Sequence, residues 1–130
     1  WAWRGHAAPE TEIFVRLRFA RLHIATASFL TAEDEIRKAE QLAIASGLVR
    51  PLVEVYSLMG NLRGHQGDET GFVFFEQAIE LAGLLDRASR LEAGVYQEYA
   101  AFKHALGHAD ESRAYLERAR EVYEPRVGEP

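Results

Sequence analysis

The sequence predicts an all-α chain: an α-solenoid of three antiparallel helix hairpins, about six helices. Two observations carry that expectation. Apolar residues recur at helical spacing in blocks separated by short breaks, the pattern of amphipathic helices rather than of strands. Small residues also recur at a fixed interval: Ala20, Gly60 and Ala100 stand forty residues apart, and Ala39, Ala78 and Ala119 repeat at nearly the same step. A constant period of this size marks a stacked helical repeat, in which no hairpin hides its apolar stripe alone. A chain of 130 residues supports one domain with a real core. Its units are expected at about 10–47, 50–83 and 88–125.

In chain order, Trp1 and Trp3 precede Pro9 and read either as the tail of an upstream helix or as a cap over the first hairpin. The first helix, from Glu10 or Thr11 to about Ala27, offers Phe14, Leu17, Ala20, Leu22 and Ile24 as its packing stripe. Thr31 is expected as the next N-cap. Asp34 stands in the capping-box position, and Glu33 and Glu35 match the helix dipole. That second helix, Ala32 to about Ser46, carries Ile36, Ala39, Leu42 and Ala43 and stops at Gly47.

Arg50-Pro51 opens the third helix, because proline is tolerated in a first turn. Its buried face is Leu52, Val55, Tyr56, Met59 and Leu62, and Gly60 and Gly64, one turn apart, let a neighbouring helix come close. After the break at His65-Gln66-Gly67-Asp68, a fourth helix with Phe72, Phe75, Ala78, Ile79 and Ala82 ends near Gly83. Helices five (Ala88 to Ala105) and six (Ala109 to Tyr123) flank Gly107. They oppose Val95, Tyr96, Tyr99 and Ala100 to Ser112, Tyr115, Leu116, Ala119 and Val122, and Pro125 closes the unit.

Composition excludes several functions. A net charge of −5 argues against a nucleic-acid surface, which needs clustered Lys and Arg. Without cysteine there is no disulfide, thiolate metal site or cysteine nucleophile, and the reading leans to a cytoplasmic protein. No apolar run is long enough for a membrane helix, and the start lacks a signal-peptide core. The sole methionine is Met59, so the chain is expected to be a piece of a longer protein. Catalytic signatures are missing, and the glycine-rich stretch from Gly64 to Gly71 lacks the lysine that reads phosphates. His104 and His108 are separated by a helix-ending glycine, and a metal site needs three convergent donors. No enzyme activity, cofactor or metal is expected.

The runs Tyr56, Met59-Gly60, Gly67-Asp68, Phe75, Ala78 and Tyr96, Tyr99-Ala100, Gly107, Leu116, Ala119, Pro125 resemble the tetratricopeptide repeat. The first unit matches through Phe19-Ala20, Ala32, Ile36 and Ala39, but lacks the turn glycine. Gly71 replaces the usual alanine, Arg63 the usual aromatic, and the period is longer than the commonest form. The longer period looks like the helical-repeat segments of bacterial LuxR-type signal-responsive transcription regulators. The resemblance implies a right-handed solenoid that binds proteins or peptides on the concave surface of its first helices.

Candidate contact residues there are Arg21 and Ala25 in the first unit, Glu54, Ser57, Asn61 and His65 in the second, and Gln97, Ala101 and His104 in the third. The surface they make is expected to be polar with few charges. Tetratricopeptide proteins that grip C-terminal carboxylates share a lysine/asparagine constellation; only Asn61 fits it, so that sub-type is not expected. The reading is a protein- or peptide-binding scaffold in a larger signalling or transcriptional regulator, with no nucleic-acid or membrane contact by this segment. The alternatives are a sensor of a small molecule or signal peptide, and a self-association module forming homo-oligomers.

Overall fold

The computed structural model describes the backbone of residues 8–85 and 89–128, and side chains of residues 8–85 and 90–122. Readings that fall on Trp1, Trp3 and Ala88 lie outside the described residues. Six α-helices follow one another: α1 (Pro9–Ala25), α2 (Phe29–Ser46), α3 (Val49–His65), α4 (Phe72–Ala82), α5 (Ser89–Ala105) and α6 (Ala109–Gly128). A 3₁₀ turn, Glu69–Gly71, leads into α4, and the described residues contain no strand.

Helices pack in sequential pairs, α1 with α2, α3 with α4 and α5 with α6. In the last pair Lys103 meets Glu111 at 3.3 Å, while Tyr96, two turns earlier in α5, stacks on Tyr115 further along α6. The two helices therefore run antiparallel. Helix α3 is the centre of the chain: it also touches α1, α2 and α5. Val55, Leu58, Met59 and Leu62 enter the core shared with α1 and α2, and Val53 enters the one built from α4 and α5. A helix packed on several sides buries more than one stripe, which is why Val53 and Leu58 escaped a single-stripe reading.

The glycines of α3 do what their spacing suggests. A Cβ on Gly60 would stand 2.5 Å from the Phe75 ring of α4, and one on Gly64 would stand 2.9 Å from the Phe102 ring of α5. Both rings are buried and sit 5.3 Å apart, with Tyr99 stacked 4.8 Å from Phe75. The aromatic layer can approach the α3 backbone only where side chains are missing.

The hairpin turns repeat with the same forty-residue period. Ala27, Gly67 and Gly107 all have left-handed backbone, with φ of 61°, 70° and 86°. After each, the next amide closes the helix end: Ser28 N–H donates to the His23 carbonyl, Asp68 N–H to Arg63, and His108 N–H to Lys103. The first unit thus makes the repeat turn without its glycine, and alanine bears the strain. This turn also corrects the expected N-cap. Helix α2 begins at Phe29, with Ala32 N–H already donating to the Ser28 carbonyl, so Thr31 lies inside the first turn.

Other details depart from the sequence reading. The α1 face packed inward is Ile13, Leu17, Ala20 and Ile24, whereas Phe14 and Leu22 are exposed, as are Phe72 and Leu116. Helix α6 continues past Pro125 to Gly128. A proline there removes one bond of the ladder without ending the helix.

The period also explains which apolar residues stay outside. Val15, Phe19 and Leu22 stand forty residues before Val55, Met59 and Leu62, which stand forty before Val95, Tyr99 and Phe102. The later two sets are at most 4% exposed, each covered by the preceding hairpin, while the first set is 43–61% exposed. Place in the order of hairpins, rather than side-chain type, decides burial here.

Candidate functional site

Helices α1, α3 and α5 are the first members of their pairs, and an open groove of about 610 Å³ runs between them. Its α1 wall is Phe14, Leu17, Arg18 and Arg21, its α3 wall Arg50, Glu54 and Ser57, and its α5 wall Arg90, Leu91, Gly94, Val95 and Glu98. Ser57, Leu17 and Val95 are buried and form the floor.

One hydrogen-bonded link crosses all three helices. The Glu98 carboxylate accepts from the Asn61 amide at 3.0 Å through Oε2 and pairs with Arg21 at 3.3 Å through Oε1. Among the described residues this is the one ion pair joining the first hairpin to the third. Beside it the Arg18 guanidinium lies 4.7 Å from the centre of the Phe14 ring, an amphipathic ledge at the groove mouth.

The charge of this groove overturns the expectation of few charges. Four arginines face two glutamates, in a chain whose net charge is −5. Arg21 is committed to Glu98. Arg18, Arg50 and Arg90 have no carboxylate partner among the described residues. The acidic excess lies on the second helices instead. From Glu69 to Ala82 there are three glutamates and no Lys or Arg, and α2 carries Glu33, Asp34, Glu35 and Glu40 against Arg37 and Lys38.

Gly94 is the second feature of this groove. Gly60, Gly64 and Gly71 are each required by a neighbouring atom, but a Cβ on Gly94 would meet nothing within 4 Å. A glycine inside a helix costs about 1 kcal/mol relative to alanine. Packing gives no return for that cost; the local consequence is an α5 wall left low between Arg90 and Glu98.

Of the residues singled out in the sequence, Arg21, Glu54 and Ser57 line the groove, and Asn61 supports it through Glu98. Gln97 faces an adjoining hollow of about 540 Å³ between α5 and α6, which shares Arg90 and Gly94 with the groove and has Leu116 on its far side. Ala25, Ala101 and His104 are exposed outside both hollows, and the exposed His65 ring bonds the Asn61 carbonyl at 3.0 Å. Sequence reasoning missed Arg18, Arg50, Arg90, Gly94 and Glu98, and took Phe14 for core. One signal was available: Arg50 and Arg90 stand one period apart, each the second residue of its helix.

No group of His, Asp and Glu suited to a metal ion occurs among the described residues, and no helix there is long and apolar enough to cross a membrane. Comparisons with protein-family models, curated proteins and solved structures give no match to this chain.

Proposed function

We propose that the chain is a tetratricopeptide-like right-handed solenoid serving as a protein- or peptide-binding scaffold within a larger signalling or transcriptional regulator. The observation that carries this reading is the groove walled by the first helix of every hairpin and tied across by Arg21, Glu98 and Asn61. A surface fixed by packing and a cross-helix link loses little freedom when a segment docks, so binding energy is not spent on ordering the scaffold. Selection from a displayed library of short peptides tests it. Peptides should be enriched on the native protein and lost on Gly94→Phe, which adds bulk to the α5 wall of the groove. Enrichment that Gly94→Phe leaves unchanged, or no enrichment at all, would contradict the reading.

A second reading, self-association, is favoured by the exposed Val15, Phe19 and Leu22 face, whose counterparts in later hairpins are interfaces. Sedimentation velocity over a range of concentrations tests it, with Phe19→Lys expected to hold the chain monomeric. A native chain monomeric at every concentration would dismiss it.

A further inference from the structure

We infer that the ligand of this groove is an acidic peptide segment, with carboxylates seated on Arg18, Arg50 and Arg90 and an apolar side chain set against Phe14. The inference rests on the peptide-binding reading and names its ligand class. Three guanidiniums converge on one groove with no carboxylate partner among the described residues. Each is a rigid fork suited to a carboxylate. Charges of one sign gathered in a concave site with low-dielectric walls focus their field on whatever enters.

Two of the three cations stand at corresponding places. Arg50 and Arg90 are each the second residue of a first helix, one repeat apart, so they face an extended chain as successive rungs. The positive ends of α3 and α5 add to their field. Phe14 is 55% exposed with Arg18 packed on its ring, which places an apolar contact directly beside a cation. Glu54, also without a basic partner among the described residues, is left to accept a backbone N–H from the peptide.

A short peptide fits this arrangement better than a nucleic acid does. The basic lining is limited to the groove and the hollow that adjoins it at Arg90 and Arg120, while the second helices and the chain as a whole are acidic. A long polyanion extending beyond the groove would meet repulsion, and counterion release needs many phosphate contacts.

The test uses three fluorescent peptides of equal length with the same central leucine and flanks of Asp/Glu, Ser/Gln or Lys, and a single-stranded oligonucleotide of similar length. Fluorescence anisotropy is read with the native chain, Arg50→Glu/Arg90→Glu, the milder Arg50→Gln/Arg90→Gln, and Gly94→Phe, each checked by thermal melting. The acidic peptide is expected to bind at least roughly tenfold tighter than the neutral one and to weaken as salt rises. The Gln variant should lose most of that advantage, and the Glu variant should turn it toward the lysine peptide. If the Glu variant fails to fold, the Gln variant decides. Equal binding of acidic and neutral peptides, blocked by Gly94→Phe, would overturn the acidic ligand while leaving the scaffold intact. Tighter binding of the oligonucleotide would overturn it in favour of nucleic acid. Binding of none of the probes would also overturn it; the peptide-binding reading is judged separately by the displayed library and falls with it if the library yields nothing or its enrichment survives Gly94→Phe.

Discussion

The Phe75 ring lies against the backbone of Gly60 so closely that a Cβ there would stand 2.5 Å from a ring carbon. The ring cannot retreat, because it is fully buried and stacked on Tyr99 at 4.8 Å. Gly60→Ala gains helix propensity worth about 1 kcal/mol but forces this layer apart, and overpacking of a filled core costs about 1–3 kcal/mol. A net loss of about 1–2 kcal/mol is expected by urea denaturation. A stabilised variant would show that the aromatic layer has slack.

Relief of strain is expected at the first turn. Ala27 has φ of 61° where the matching positions hold Gly67 and Gly107. A left-handed alanine costs about 1–2 kcal/mol, part of which returns as backbone entropy when glycine replaces it. Ala27→Gly should raise stability by about 0.5–1 kcal/mol, read as a higher melting midpoint. A lower midpoint would refute the matched geometry.

Acid should loosen the junction between the first two hairpins. Arg63 on α3 donates to Glu33 on α2 at 2.8 Å, and this bond holds the Glu33 carboxyl below its ordinary range against the opposing effect of burial. A depressed folded pKa means stability that is complete above the ordinary carboxylate value, about 4.3, and lost as pH falls through the lower folded value. Glu33→Gln should therefore cost about 0.5–1 kcal/mol near neutrality, and the gap from the native chain should close as pH falls below about 4. Coincident stabilities of the two chains across that range would show that the pair contributes nothing.

Matched truncations separate position in the stack from side-chain type. Met59 is 1% exposed and Phe19, one period earlier, is 52% exposed. Met59→Ala should cost about 2–4 kcal/mol, and Phe19→Ala should stay within about 0.5 kcal/mol. A large loss at Phe19 in dilute solution would mean that its face is already covered.

The all-helical class and the six helices were legible because the apolar period and the glycine stops act locally. The close approach at Gly60 and Gly64 was legible for the same reason: a missing side chain has one steric meaning wherever the helix packs. Ala27 hid the first turn, since alanine gives no sign of left-handed backbone, and Thr31 then drew the helix start three residues too late. The groove was half legible. Arg21, Glu54 and Ser57 follow from counting faces on first helices, but Arg18, Arg50 and Arg90 come together only where one hairpin packs on the next. No single helix encodes that packing. Phe14 reads as core by its apolar type, yet Ile13 fills that place.

The most direct measurement is amide chemical-shift mapping of the isotope-labelled chain titrated with the acidic peptide. Shifts centred on Arg18, Arg50, Glu54, Gly94 and Glu98 are expected, with α2 and α4 unmoved. Shifts gathered on the second helices, or none at saturating peptide, would contradict the assignment of this groove as the binding surface.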